Sequence, residues 1–244
     1  YHDKTILNYI NILNTFDINL KKANPIISGS CALSLLYAPN ASFNDIDLYF
    51  CSQKDFDTAK TLLDQRSSKA FDTKNAISYN DLKLQLIKNI YNTPAEIIYS
   101  HDFVNVSCAI SIDEIYTTKE THYAWFNREL SLRNFQITST STPIEKIIKL
   151  TVLLSRIDKY TKRYNLTLSD SFVNFLKLKR GWLCSDGISS LKYISPSTEI
   201  YLDYYGRPIP KKIYSAHSCL GKINGLLTPY VIDDTFNCMQ YIPF

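Results

Sequence analysis

The chain combines two hydrophobic periods, one typical of strands and one typical of helices. Apolar residues recur at spacings of three and four over residues 5–22, which predicts an amphipathic helix. Short apolar or alternating runs predict strands at 25–28, 44–50, 76–79, 81–88 and 104–110. Helical patterns lie between these runs, at 31–37, 53–67 and 94–100. Strands interleaved with helices predict a mixed β-sheet with helices packed against it.

The pattern becomes mainly helical after residue 120. Residues 120–132 and 169–180 predict helices, and 144–164 predicts a long helix that is apolar on one face and basic on the other. Beyond residue 186 Pro, Gly, Ser and Tyr are frequent, which is typical of irregular structure. The predicted fold class is therefore α+β, with a mixed sheet core followed by a mainly helical second part and an irregular C-terminal tail.

This change of pattern also divides the chain. We expect a sheet domain over 1–120 and a helical domain with the tail over 121–244. The chain opens with Tyr1 rather than Met, so a start further upstream is left open.

Composition narrows the class of protein without choosing a function. Hydrophobic residues make up 45% and charged residues 20% of the 244, as in ordinary globular proteins. No apolar run reaches the roughly 20 residues of a membrane helix, so we expect no membrane partner and a cytoplasmic protein. The six cysteines are scattered without metal-ligand spacing, which favours reduced thiols. The net charge of +4 permits a nucleotide or nucleic-acid partner but does not require one.

Two segments near the N-terminus carry the candidate chemistry. Gly29 and Ser30 join a buried strand to a helix, and such a turn directs backbone N–H groups and a hydroxyl at an anion. Asp45 and Asp47 follow with one residue between them, which places both carboxylates on one face of a strand. Carboxylates held side by side repel each other, and a divalent cation relieves that repulsion. The pattern predicts a phosphate site that carries a metal.

Structural roles remain open for the same residues. Asp45 could cap a turn and Asp47 could be a surface residue of the strand. Ser30 could serve as a helix N-cap, a role compatible with phosphate binding. Gln85 lies on the predicted strand over 81–88 and could be an ordinary polar strand residue, and Asp102 could cap the turn that follows it.

The Gly29-Ser30 turn and the Asp-Ile-Asp strand together resemble the signature of the DNA polymerase β-like nucleotidyltransferase superfamily. Four later segments resemble a branch of nucleotidyltransferase-like proteins of large DNA viruses, phages and some eukaryotes. They are the 84–87 Leu-Gln-Leu-Ile run, the 94–98 run with its Pro-x-Glu, the Asp102-Phe103 pair, and the 155–164 run with its basic residues.

The resemblance implies a role for each of these residues. Asp45 and Asp47 would be the catalytic carboxylates that bind Mg²⁺, or Mn²⁺, and Gly29 and Ser30 would hold the nucleotide phosphates. The superfamily has a third carboxylate on a neighbouring strand, where this chain has the neutral Gln85. Asp102 is the nearest substitute and is our candidate for the third catalytic carboxylate.

The long basic helix is the other candidate for ligand binding. Arg156, Lys159, Lys162 and Arg163 are spaced by three and four and so share one helix face. A solvated face is the ordinary interpretation of such spacing. The resemblance implies the alternative, in which Arg156, Lys159 and Arg163 bind nucleotide or RNA.

From these residues we expect a Mg²⁺-dependent nucleotidyltransferase that moves an NMP group from a nucleoside triphosphate to an acceptor hydroxyl. RNA or tRNA is the favoured acceptor, with a protein hydroxyl or a small molecule as alternatives. Two other interpretations stay open: a catalytically inactive nucleotide- or nucleic-acid-binding module of a viral or phage protein, and a toxin or counter-defence protein that modifies host tRNA or protein. In either viral case the cytoplasm would be that of an infected cell.

Overall fold

The structure is a computed structural model that describes residues 2–39, 41, 43, 45–67, 71–79, 81–135, 143–184 and 216–229. The described residues up to Glu129 form one compact unit, and those from Leu130 onward form a second. The domain boundary that the sequence suggests near residue 120 stays a prediction.

The first unit is built from seven strands and five helices. The strands are β1 (Ile26–Ser28), β2 (Ile46–Phe50), β3 (Phe71–Asp72), β4 (Ala76–Tyr79), β5 (Leu84–Ile90), β6 (Cys108–Ile110) and β7 (Ile115–Thr117). The helices are α1 (His2–Phe16), α2 (Ser30–Leu36), α3 (Gln53–Asp64), α4 (Pro94–Tyr99) and α5 (Lys119–Phe126).

All seven strands belong to one mixed sheet, in the order β3-β4-β5-β2-β1-β6-β7. The β2–β5 pair is parallel and every other pair is antiparallel. The connection from β2 to β5 contains α3 and the β3–β4 hairpin, which is long enough for the crossover that parallel strands need. The predicted α+β fold with a mixed sheet and packed helices is confirmed.

Helices cover both faces of the sheet. On one face Phe56 of α3 packs edge-on against Phe50 of β2, with ring centroids 5.6 Å apart. On the other face Ile97 and Ile98 of α4 join a buried cluster with Tyr49. Side chains alternate along β2, so Asp47 shares the α4 face with Tyr49.

The start of α4 follows the capping chemistry that its sequence predicts. Thr93 accepts a hydrogen bond from the backbone N–H of Glu96, and Pro94 occupies the first turn. Glu96 in turn accepts a hydrogen bond of 3.0 Å from the backbone N–H of Asn92. These hydrogen bonds fix the first turn of the short helix.

Two predicted elements differ clearly from the observed ones. The strand predicted over 104–110 is a 3₁₀-helix at Val104–Val106 followed by β6. The Val104 carbonyl accepts a hydrogen bond from the Thr121 hydroxyl of α5, rather than from a neighbouring strand. The helix predicted over 5–22 ends at Phe16, where Asp17 turns the chain into a 3₁₀-helix at Leu20–Ala23.

The second unit is helical, as predicted. It contains α6 (Pro143–Tyr164), α7 (Asp170–Trp182), α8 (Ala216–Leu227) and a two-stranded sheet of β8 (Glu129–Leu130) with β9 (Thr167–Leu168). Thr151 of α6 lies 3.0 Å from the Cys219 thiol of α8, and Arg180 of α7 donates a 2.9 Å hydrogen bond to Asn224 of α8. Helix α8 lies within the segment that the sequence left without architecture; the rest of that segment lies outside the described residues.

The cysteine expectation needs one correction. Cys31, Cys108 and Cys219 are free and buried, and Cys51 is free and partly buried. Cys184 is disulfide-bonded, so the expectation of reduced thiols is wrong there. Pairing depends on proximity in the fold, which scattered sequence positions do not reveal. Within the described residues, no helix is long and apolar enough to span a membrane.

Candidate active site

Four polar residues form a row across the middle of the sheet. The strand registers place Ser78 of β4 beside Gln85 of β5, Gln85 beside Asp47 of β2, and Asp47 beside Ser28 of β1. Directly paired residues share a face, and neighbouring strands lie about 4.8 Å apart. The row therefore brings a carboxylate, an amide and two hydroxyls together on the α4 face of the sheet, where Ser28, Ser78 and Gln85 are buried and Asp47 is partly exposed.

Asp45 and Asp47 extend this row toward the start of β2. Asp47 lies within the strand, whereas Asp45 comes directly before it, and both side chains are partly buried. Carboxylate oxygens in this setting are ligands that suit a hard divalent cation such as Mg²⁺. The donor set of the two aspartates fits the metal that the resemblance implies.

The Gly29 turn approaches the same carboxylate. Gly29 has φ 71° and ψ −141°, a combination that residues with a Cβ rarely adopt. A Cβ at Gly29 would lie 3.8 Å from Asp47 Oδ2 and 3.9 Å from His101 Cε1. Ser30 follows as the first residue of α2. The backbone of the turn thus faces Asp47 with no side chain of its own in the way.

His101 also belongs to this site, although nothing in its sequence context singled it out. Its Nε2 lies 2.7 Å from Ser28 Oγ, and the Ser28 hydroxyl donates a 2.7 Å hydrogen bond to the Cys108 carbonyl. A hydroxyl has one proton, so His101 Nε2–H is the donor to Ser28. The ring also packs edge-on against Tyr49, with centroids 6.0 Å apart. His101 is therefore held between β1 and β2, beside the glycine turn.

Gln85 of β5 is the residue at which the resemblance leads one to expect a third carboxylate. It is 7% exposed and lies beside Asp47 in the parallel β2–β5 pair. Its Oε1 is buried and has no hydrogen-bond partner. A buried acceptor without a donor is rare in folded proteins and points to a missing water or ion.

Asp102 lies elsewhere than the sequence suggested. It sits in a bend between α4 and the 3₁₀-helix, not at the start of a strand. Among the residues with described positions, no three His, Cys, Asp or Glu side chains come together as metal ligands. A role for Asp102 beside Asp45 and Asp47 stays a prediction.

A buried thiol near the site is chemically quiet. Burial, and to a smaller extent the negative charge of Asp47, raises the pKa of Cys31 to about 12. Because a nucleophilic cysteine must be a thiolate, Cys31 is inert at neutral pH.

The predicted basic residues lie on α6 in the second unit. Arg156 and Arg163 are partly buried and Lys159 is exposed, with Lys159 Nζ 5.7 Å from the centre of the Tyr160 ring. Lys162 pairs with Asp158 of the same helix at 2.8 Å, and both side chains are exposed. The assignment of Arg156, Lys159 and Arg163 to nucleotide or RNA binding stays a prediction.

Comparison with protein families gives a match over the first unit. The model of the family described as "Gabija anti-defense 2 family protein", Gad2, matches residues 1–127, more than half of the chain. The chain belongs to the Gabija anti-defense 2 family. The Gad2 match contains the glycine turn, both aspartates, Gln85 and His101, and it ends before α6 begins. Curated protein sequences provide no match.

Several solved structures of nucleotidyltransferases are similar to this chain. A tRNA nucleotidyltransferase complexed with a primer tRNA and an incoming ATP analogue is similar with a TM-score of 0.50 and 14% identity, over 89% of this chain and 60% of that chain. A CCA-adding enzyme with CTP gives 0.49 and 13%, over 78% and 53% of the two chains. The Thermotoga maritima CCA-adding enzyme complexed with tRNA gives 0.41 and 12%, over 96% and 68%.

The match to the first of these enzymes confirms the expected fold. The Gad2-family chain spans about 60% of that enzyme's length. The narrower resemblance to a viral and phage branch stays a prediction.

Proposed function

We propose that this protein binds a nucleoside triphosphate with Mg²⁺ and transfers the nucleotidyl group to an acceptor hydroxyl. The observation that carries the proposal is the approach of the Gly29 turn to Asp47 across paired strands β1 and β2. A phosphate chain placed between a side-chain-free turn and a carboxylate needs a cation on its carboxylate side, and Asp45 and Asp47 supply the ligands for it.

In this proposal each residue has a limited task. The backbone N–H groups at Gly29 and Ser30 bind phosphate oxygens, and His101 keeps the β1 end of that turn in place through Ser28. The bound cation would neutralise charge on the phosphates. The acceptor oxygen forms a bond to the α-phosphorus while the bond to the β-phosphate oxygen breaks, pyrophosphate leaves, and the acceptor proton passes to water.

RNA is the acceptor that the charge distribution favours. Between residues 143 and 184 the chain has nine lysines and arginines against three acidic residues. The net charge of the whole chain is only +4, so the basic residues are concentrated in this segment. Basic residues concentrated in one part of a chain favour binding to phosphate backbones. We assign Arg156, Lys159 and Arg163 to this contact. The tRNA nucleotidyltransferase that is similar in fold was solved in complex with a primer tRNA, which agrees with this choice.

The test is transfer of label from each α-³²P-labelled nucleoside triphosphate to total RNA, tRNA or cell lysate protein, with Mg²⁺ or Mn²⁺. We expect labelled RNA from the wild-type protein and none from Asp45→Asn or Asp47→Asn. Asp57→Asn, a change at an exposed position of α3, is the matched control and should leave transfer intact. Equal transfer by wild type and both site variants would contradict the proposal.

A second candidate is a nucleotide-binding module without efficient transfer. The observation that favours it is the neutral Gln85 beside Asp47, where the superfamily has an acid. Calorimetric binding of a nucleoside triphosphate together with no transfer to any acceptor would support this candidate over the enzyme.

The family name supplies a biological setting for either chemistry. Members are described as acting in anti-defense against Gabija. We propose a counter-defence role for this chain, in which the acceptor or binding partner is a host RNA or protein. If the wild-type protein counteracts Gabija defence in cells and the Asp47→Asn protein does not, this role would be linked to the site.

A further inference from the structure

Gln85 is a central residue of the site. Its side chain is neutral at a position where metal-dependent nucleotidyl transfer would favour a negatively charged carboxylate. It lies in the middle strand pair, with Asp47 on one side and Ser78 on the other. Its side chain is nine-tenths buried and, by the strand register, shares the face of Asp47.

The unpaired Oε1 of Gln85 calls for a positively polarised partner. An ionised Asp47 can only accept hydrogen bonds, so it cannot satisfy a second acceptor beside it. The Ser28 hydroxyl, on the far side of Asp47, already donates to the Cys108 carbonyl, and the Ser78 hydroxyl, on the other side of Gln85, does not donate to Oε1. A cation satisfies a carboxylate and an amide oxygen together, and amide oxygens are known ligands of hard cations.

The charge of this ligand set is sufficient for one divalent cation. Mg²⁺ in nucleotide sites is held by one or two carboxylates together with substrate phosphates, and Asp45 and Asp47 provide that number. A second cation needs a further anionic ligand. Among the described residues, no three His, Cys, Asp or Glu side chains come together in a way that could hold a metal ion, so these two carboxylates have no further anionic ligand beside them.

We propose that Gln85 limits the site to one divalent cation, which enters with the nucleotide, and that no second cation binds to activate the acceptor. This inference rests on the proposed nucleotide site and specifies how that site works. Nucleotide binding is then separable from transfer, and a single residue keeps transfer slow.

The experiment counts Mn²⁺ ions and nucleotides bound per chain by equilibrium dialysis, with the α,β-methylene analogues of ATP and CTP as probes. We expect one Mn²⁺ per bound analogue for wild type and two for Gln85→Glu. Gln85→Met is the matched control, since it keeps the length of the side chain without adding charge, and it should also bind one. The Mn²⁺-dependent rise in melting temperature should be larger for Gln85→Glu than for wild type.

The outcomes separate this inference from the function beneath it. Two Mn²⁺ ions on wild type or on Gln85→Met, or one on folded Gln85→Glu, would overturn the inference while leaving the nucleotide site in place. Absence of bound analogue on wild type would overturn the proposed function, and the inference with it. The wild-type count decides the matter even if Gln85→Glu proves too unstable to purify.

Discussion

At the scale of single residues, Gly29 provides the strictest requirement of the site. Its φ of 71° is unfavourable for any residue with a Cβ, and the space that a Cβ would fill lies between Asp47 and His101. We expect Gly29→Ala to cost about 1–3 kcal/mol of stability through backbone strain. We also expect about tenfold or greater loss of nucleotide affinity, equivalent to about 1.4 kcal/mol.

Urea denaturation and calorimetry with the α,β-methylene analogue of ATP measure the two effects. Gly221→Ala is the matched control because Gly221 lies inside α8 and an added Cβ meets no atom within 4 Å. It should stabilise the chain by about 0.5–1 kcal/mol, since alanine favours a helix interior. A Gly29→Ala protein as stable as wild type with unchanged affinity would contradict the role of the turn.

The residues that the sequence could reveal are those whose chemistry follows a local spacing. The glycine turn and the two aspartates lie within or beside strands with clear periodicity, which indicated that the two carboxylates share a face. The register that places Asp47 beside Gln85 and Ser28 came only from the structure. His101 could not be found in this way. Its contact with Ser28 joins residues 73 positions apart, and a lone histidine beside an aspartate has no distinguishing spacing.

At the scale of elements, the junction from α1 to the 3₁₀-helix depends on a buried carboxylate. Asp17 is 5% exposed; it accepts a hydrogen bond of 2.6 Å from the Asn19 backbone N–H and pairs with Arg66 Nε at 2.6 Å. The Asn19 hydrogen bond, and then Arg66, hold the pKa of Asp17 below 3.8 against the opposing effect of burial. Arg66 follows α3, so this pair ties the junction to the end of that helix.

We expect Asp17→Asn to destabilise the protein by about 1–3 kcal/mol at pH 7, because a buried hydrogen-bonded charge is lost. A carboxyl group whose pKa is lowered in the folded state stabilises the fold at pH values above its unfolded-state pKa. This contribution disappears as the pH falls through the folded-state pKa. The difference in stability between wild type and Asp17→Asn should therefore begin to shrink as the pH falls below about 4.

Urea denaturation at pH 7 and at pH 3 measures this convergence. Asp57→Asn, at an exposed position, is the control and should change stability by less than about 0.5 kcal/mol. If the difference in the free energy of unfolding between wild type and Asp17→Asn stayed constant across this pH range, the charged Asp17–Arg66 pair would be excluded as its source.

Elements with strong local signals were the predictable ones. The Thr93 cap, the following Pro94 and the apolar face of α6 each specify a helix without help from the rest of the chain. The 3₁₀-helix at Val104–Val106 was predicted as a strand because its apolar run has strand-like composition. Its carbonyl at Val104 instead receives the Thr121 hydroxyl, a tertiary contact that local pattern cannot contain.

At the scale of the whole molecule, charge is distributed unevenly between the two units. The nine basic and three acidic residues over 143–184 lie in the second unit, whereas the proposed cation site lies in the first. The family match covers the first unit, so the second is the part whose partner needs independent evidence.

If the second unit binds RNA through phosphates, its affinity for tRNA must fall with salt. Each phosphate contact contributes a slope of about −0.7 to −0.9 in log K against log salt between about 50 and 200 mM, because counterions are released on binding. We expect Lys159→Gln and Arg156→Gln each to weaken tRNA binding and to reduce the magnitude of this slope by about 1. Fluorescence anisotropy of labelled tRNA measures both.

Lys54→Gln, an exposed change on α3 of the first unit, is the control and should alter neither the affinity nor the slope. An equal effect of all three substitutions would show that net charge, rather than the α6 face, governs binding.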